Sequence, residues 1–302
     1  MVTRRFVMGF AVASAALAMT GAAQAQGWKD KYKEIVWAIV PAENASGVTD
    51  RFAPMMAYME KEVGTKFTLR VASDYAAVIE GQKAGQIHVG MYGPSAYARS
   101  FLTGTATEPF AMDVNKDGTK GYHSVLYVKK DAPYKTIEDL KGKNLGLVDP
   151  NSASGNNMPR YAMHKMGVKP DEFFAKVVYT GSHENAVIAV QQGTVDAAFN
   201  WWNDEAESNL KRMERKGMAK YDDFKIIFKS DQIVNSPMAY LKDMPDDLKK
   251  AIRDAVFAFD KKDPEAFKKV TDGQAQPWTP ATHTAYEPVI ELTKFVDTLR
   301  KK

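Results

Sequence analysis

Two short segments carry the chemistry of this chain: Asp149-Pro150-Asn151-Ser152-Ala153-Ser154-Gly155 and, further on, Ser182-His183-Glu184-Asn185. The first follows an apolar run, Leu145–Val148. Asp, Pro and Asn fix a turn there, and Ser is a preferred cap for the helix that comes next. Ser152 and Ser154 supply hydroxyls, and Gly155 an unencumbered backbone, at a helix N-terminus. At such an end several N–H groups lack intrahelical acceptors and the macrodipole is positive, which makes a receptor for a tetrahedral oxyanion. Read alone, the same turn also serves as an ordinary helix cap.

Nothing beside these segments transforms a ligand. The chain has no Cys, and its five His (His88, His123, His164, His183 and His283) lack the short ligand spacings of a zinc site. It has no HExxH pattern, Gly-x-Ser-x-Gly elbow or P-loop. Binding without catalysis is the expectation, with no metal and no cofactor.

The start of the chain points to export. Arg4 and Arg5 precede an apolar run from Phe6 to about Met19, and Ala23-Gln24-Ala25 offers the small residues a signal peptidase requires. Residues 1–25 are therefore expected to be a cleaved signal peptide, leaving a protein in the periplasm. The apolar run is shorter than the ~20 residues of a membrane span, so no stable membrane insertion is expected. The formal net charge of +4 falls to +2 without Arg4 and Arg5, and the Lys residues are scattered, which speaks against a nucleic-acid partner.

The elements that must position these groups alternate along the chain. Strand candidates are Ile35–Val40, Lys66–Ala72, Ile87–Tyr92, Ser124–Val128, Leu145–Val148, Lys176–Tyr179, Val195–Phe199, Ile226–Phe228 and Met238–Leu241. Helical patterns lie between them, clearest at Asp50–Val63, Asn185–Gln192, Glu205–Lys216 and Pro245–Phe259. Such alternation predicts an α/β fold built on parallel sheets. There is also an internal echo. Tyr75-Ala76-Ala77-Val78-Ile79 leads to Gly85 and a strand ending at Tyr92, while Asn185-Ala186-Val187-Ile188 leads to Gly193 and a strand ending near Trp201-Trp202-Asn203. Two lobes of similar plan facing one another across a cleft, or a chance recurrence of a common triplet, both account for it.

Five segments together add a family resemblance: Ser73-Asp74-Tyr75-Ala76, Met91-Tyr92-Gly93-Pro94-Ser95-Ala96-Tyr97, Gly121-Tyr122-His123-Ser124-Val125, Asp149 to Gly155, and Gly181-Ser182-His183-Glu184-Asn185. In this order and spacing the chain resembles the phosphonate-binding periplasmic proteins that serve ABC importers, from about Ile35 to Leu241. The resemblance implies a two-lobed type II periplasmic-binding-protein fold with mainly parallel sheets and a hinge of two chain crossings. Lobe 1 would comprise residues 26–121 plus 235–302 and lobe 2 residues 122–234, with the final helix, about Pro280–Leu299, packed on lobe 1. It also implies a phosphonate-type ligand and an inner-membrane ABC permease as partners.

Carried over residue by residue, the resemblance gives Ser152 and Ser154 the role of hydroxyl donors, and the Ala153–Gly155 backbone that of N–H donors. Ala153 stands where relatives often have Thr. Tyr75 and Tyr122 would reach the anion from opposite sides, Tyr92 would line the same wall, and His183 would donate to the anion. Glu184 would cap its helix or orient His183. Relatives that hold an aminoalkylphosphonate place carboxylates at positions aligned with Asn203 and Ser236, neither of which is acidic here. An amine would then need Glu43, Asp204 or Glu205 as its counter-charge. Trp201 or Trp202 would close on the ligand's tail or pack between lobes. Phosphite, phosphate and sulfonates are the rival ligands within the same fold, and a periplasmic enzyme or sensor domain the rival outside it.

Overall fold

The computed structural model of the chain describes residues 27–300; the expected signal peptide, residues 1–25, lies outside them. Among the described residues eleven strands form two sheets. They are β1 (Glu34–Ile39), β2 (Lys66–Val71), β3 (Val89–Met91), β4 (Thr107–Asn115), β5 (Gly121–Lys129), β6 (Asn144–Leu147), β7 (Lys176–Tyr179), β8 (Ala197–Trp202), β9 (Phe224–Val234), β10 (Pro237–Leu241) and β11 (Ala275–Pro280). The first sheet has the order β11-β4-β10-β3-β1-β2 and the second β7-β6-β8-β5-β9. The chain passes between the sheets twice, from β4 to β5 and from β9 to β10.

The sheets are mixed, a correction to the expectation of mainly parallel ones. β2-β1-β3 and β7-β6-β8 are parallel cores, and every other pairing is antiparallel. The reason is connectivity. Strands joined by helical crossovers run parallel, whereas β5 and β10 follow a passage from the other sheet and enter antiparallel to their neighbours β8 and β3. The echo in the sequence corresponds to a shared plan, since each sheet places its three parallel strands, β1–β3 and β6–β8, in the order second, first, third.

β4 and β11 carried no readable strand pattern. Pro109 interrupts β4 close to a register shift against β10, and β11 holds Pro277 and Pro280 at the sheet edge, where a missing N–H is tolerated. The helix Ala45–Val63 begins earlier than its apolar periodicity indicated because Asn44 caps it, its side chain accepting from Gly47 N at 2.9 Å. The helix buries Val48, Phe52, Met55, Met59 and Val63 against the first sheet's core and ends at Gly64 in the left-handed conformation (φ 76).

The last helix, Glu287–Arg300, packs on both lobes and not on the first alone. Arg99 grips Asp297 with two bonds of 2.6 Å from the helix Pro94–Leu102. On the other lobe, Tyr161 and His164 set their rings against Phe295 at 5.7 and 5.2 Å. Val289 and Ile290 share a buried cluster with Tyr122, Ala153 and Met158, so the helix lies beneath the Ser-rich turn.

Candidate functional site

A cavity of about 240 Å³ opens between the two sheets, and the candidate residues Tyr75, Tyr92, Tyr122, Ser152, Ala153, Ser154 and His183 all line it. The Ser-rich turn forms its floor. Asn151 N donates to Asp149 Oδ1 at 2.7 Å and Ser152 N to Asp149 O at 2.9 Å, closing the turn after β6. Ser152 is the cap, its Oγ accepting from Gly155 N at 3.0 Å. The helix then opens with a wide π turn over Ala153–Asn157 and continues as α-helix over Met158–Lys165. A first turn leaves N–H groups such as those of Ala153 and Ser154 without intrahelical acceptors, and both residues line the cavity. Gly155 is required by packing: a Cβ there would stand 2.4 Å from Val148 Cβ and Cγ2. Ser124 braces the turn from β5, donating to Ser154 O at 2.6 Å.

The phenols arrive from different elements. Tyr75 opens the helix Tyr75–Lys83, which Asp74 caps by accepting from Ala77 N at 2.8 Å, and Tyr122 lies on β5. Tyr75 is set beside Ser152 and Tyr122 beside Ser154. Burial pushes both phenols far above their ordinary pKa, so they remain neutral hydrogen-bond donors. Tyr92 differs. Its hydroxyl donates to Gln82 Oε1 at 2.5 Å, so it is a wall of the cavity and its polar atom is spent inside the lobe.

His183 is the first residue of the helix His183–Gln192, capped by Ser182, whose Oγ accepts from Asn185 N at 3.1 Å. Asn200 on β8 fixes its ring. Asn200 Oδ1 accepts from Trp201 N at 3.0 Å and its Nδ2 donates to His183 O at 2.9 Å, which leaves Oδ1 as the acceptor for His183 Nδ1–H at 2.9 Å. Nε2 then carries a lone pair and sits 3.4 Å from Ser152 Oγ. Burial lowers the His183 pKa to about 4, the Asn200 contact opposing the shift and the charge of Arg212 adding to it. With Nδ1–H committed to Asn200, neutral His183 presents Nε2 as an acceptor.

The tail residues divide. Trp201, Asn203, Ser236 and Glu43 line the cavity, whereas Trp202 does not. Trp202 is buried in its own lobe with Lys229 Nζ 3.8 Å over its ring. Asn203 Nδ2 donates to Asn115 Oδ1 at 3.1 Å and, with Asn235, ties the two inter-sheet passages together. Glu43 is no free counter-charge: Arg51, Arg212 (2.8 Å) and Lys216 (2.6 Å) all hold it. Burial alone would raise its pKa, but the Arg212, Arg51 and Lys216 charges outweigh that and bring it to about 2. Asp204 and Glu205 lie outside the cavity lining, and Asp204 is spent on the N–H groups of Ala206 and Glu207.

Glu184 neither caps its helix nor orients His183. It reaches across to the other lobe, accepting from Asn44 N at 2.8 Å and Asn44 Nδ2 at 3.1 Å, and from Lys216 Nζ at 3.0 Å. The sequence reading also missed Arg51, Asp113, Glu207, Arg212 and Trp278 in the cavity wall. Arg51, Asp113, Arg212 and Trp278 come from helix or strand interiors and Glu207 from the loop after β8, and only packing aims them at the cleft. Among the described residues no cluster of three or more His, Cys, Asp or Glu could hold a metal ion, and no helix is long and apolar enough to cross a membrane.

Two lobes joined by two chain passages, with a polar cleft between them, define the class of two-lobed ligand-binding proteins. The chain belongs to the phosphonate family of periplasmic substrate-binding proteins of ABC transporters, which it matches over residues 37–286. The phosphonates-binding periplasmic protein of Escherichia coli is 30% identical over 230 residues, covering 75% of this chain and 66% of that protein. The phosphate-import protein PhnD of Mycolicibacterium smegmatis is 32% identical over 213 residues, covering 68% and 65% respectively. The chain thus spans just under two thirds of the length of these relatives. Among solved structures, a binding-protein component of an ABC phosphonate transporter from Pseudomonas aeruginosa superposes with a TM-score of 0.79 at 27% identity, covering 88% of this chain and 87% of that one. PhnD1 of Prochlorococcus marinus, solved with methylphosphonate, has the same fold (TM-score 0.75, 19% identity, 88% and 98% covered).

Proposed function

We propose that this chain captures a small phosphonate in the interlobe cleft and delivers it, in the periplasm, to an inner-membrane ABC permease. The observation that carries the reading is convergence from both lobes. Tyr75 comes from the first sheet's side, Tyr122, Ser152, Ser154 and His183 from the second, and all meet above a helix N-terminus. The chain passages at residues 116–120 and 235–236 act as the hinge, and the closed arrangement holds Tyr75 against the Ser-rich turn.

His183 favours phosphorus over sulfur. Its Nε2 accepts from a P–OH oxygen of a singly protonated phosphonate, and a sulfonate has no such proton to give. Charge-assisted hydrogen bonds of roughly 1.5–3 kcal/mol each, less the cost of closure, place the affinity in the micromolar to nanomolar range, about 8–12 kcal/mol. Calorimetry with phosphite, methylphosphonate, ethylphosphonate, phosphate and a sulfonate tests the reading. Tightest binding of a phosphonate supports it. Tightest binding of phosphate makes the chain a phosphate carrier, and silence toward every phosphorus ligand overturns the phosphonate reading.

A further inference from the structure

The far end of the cleft, beyond the anion grip, is rich in charge, yet that charge is internal and balanced. The helix Ala45–Val63 contributes Arg51 and the helix Asn209–Arg215 contributes Arg212 from the opposite lobe, with Glu43 held between them. Arg212 also meets Glu207 at 3.3 Å and Asp272 at 3.2 Å, Arg215 meets Glu207 at 2.7 Å, and Lys216 joins Glu43 to Glu184 at 2.6 and 3.0 Å. Along this run of contacts four cations, Arg51, Arg212, Arg215 and Lys216, face four carboxylates, Glu43, Glu184, Glu207 and Asp272. The Trp201 ring, the surface on which an alkylammonium would lie, already carries the Arg212 guanidinium at 4.9 Å. Asp113 remains in the wall, but its Oδ1 accepts from Trp278 Nε1 at 2.9 Å, and burial, against the pull of Arg212 and Arg51, moves it toward the protonated form.

The geometry points to a phosphonate whose substituent is uncharged, with Arg212 as the residue that sets this selectivity by supplying the cleft's own cation. The inference rests on the phosphonate reading above and narrows it. A ligand ammonium entering this end finds Glu43 and Glu207 already paired, and a ligand carboxylate finds the guanidiniums already paired. Either charge leaves water without a partner, which is costly. The rest of the wall, Val48, Phe52, Met91 and Trp278, suits a short alkyl group.

The test uses tails of similar size and different charge: ethylphosphonate, 2-aminoethylphosphonate and phosphonoacetate, titrated calorimetrically into the wild-type protein. Ethylphosphonate is expected to bind at least tenfold tighter than either charged ligand. Equal or tighter binding of a charged ligand overturns the inference while leaving the phosphonate reading standing; silence toward all three, and toward phosphite, overturns both. In Arg212→Met, Glu43 and Glu207 lose a cation, and the ratio of aminoethylphosphonate to ethylphosphonate affinity is expected to rise at least tenfold. An unchanged ratio, in a variant whose circular dichroism and melting show a folded protein, removes Arg212 from the role. Lys216→Met, which takes a more exposed cation from the same Glu43, provides the second variant and is expected to move the ratio in the same direction.

Discussion

Acidification should weaken the folded protein through His183, by an amount the structure fixes. The ring is buried at the lobe interface, and its pKa falls from an ordinary 6.5 to about 4. Between those values the unfolded chain binds a proton that the folded chain refuses, so stability rises with pH across the window and is lost as pH falls through it. The separation between 6.5 and about 4, at ~1.36 kcal/mol per pH unit, amounts to ~3 kcal/mol. Asp113 and Glu207, raised mainly by burial, act in the opposite sense, and the loss from Glu43 begins only below its ordinary 4.5. A difference measurement therefore isolates the His183 contribution. Urea unfolding of wild type and His183→Gln, followed by Trp fluorescence at pH 7, 6, 5 and 4, should show the wild type losing ~3 kcal/mol more than the variant between pH 7 and 4. Parallel curves for the two proteins would refute the reasoning. They would mean that His183 titrates normally in the folded state, so that neither its burial nor its fixed neutral tautomer governs the cleft.

The remaining expectations concern the grip and the latch. Ser152→Ala combined with Ser154→Ala should weaken phosphonate binding at least a hundredfold, since two charge-assisted hydrogen bonds of roughly 1.5–3 kcal/mol each disappear; unchanged calorimetric affinity would move the anion site elsewhere. Gly155→Ala forces a Cβ into the 2.4 Å space beside Val148, and should lower the melting temperature and weaken binding at least tenfold. A variant that melts and binds like wild type would show that the turn is not held as described. Glu43→Gln leaves Arg51, Arg212 and Lys216 without their shared carboxylate and should cost about 3–5 kcal/mol in urea unfolding, with the unliganded protein more expanded in small-angle scattering. Unaltered stability and dimensions would remove Glu43 from the interlobe latch.

That latch bears on how the cleft works. His183 N donates to Ala42 O at 3.2 Å and Asn44 donates twice to Glu184, so the two lobes meet directly across the mouth. Direct contacts between the lobes set how much of the anion's binding energy is needed to hold the cleft shut. This places tuning of affinity in Glu43, Asn44 and Glu184 as well as in the grip.

What the sequence by itself determined was local. The Asp149–Gly155 turn, its Ser cap and the Ser182 cap before His183 are written in side chains that bond their own backbone a few residues away, so no other part of the chain is needed to read them. The alternation of apolar runs revealed most strands and the α/β class for the same reason, and the family resemblance added which of the turns share one cleft. Only tertiary structure decided the rest. β4 and β11 are strands because neighbouring strands supply partners that their prolines would not predict. Tyr92 turns its hydroxyl into the lobe because Gln82 waits there. Arg51 and Arg212 belong to the cleft only because two helices from different lobes bring them to the same carboxylate, residues far apart in the chain whose meeting has no local signature. The charge state of His183 is likewise a property of the assembled interior: burial and the Asn200 contact set it, and neither exists until the lobes have folded.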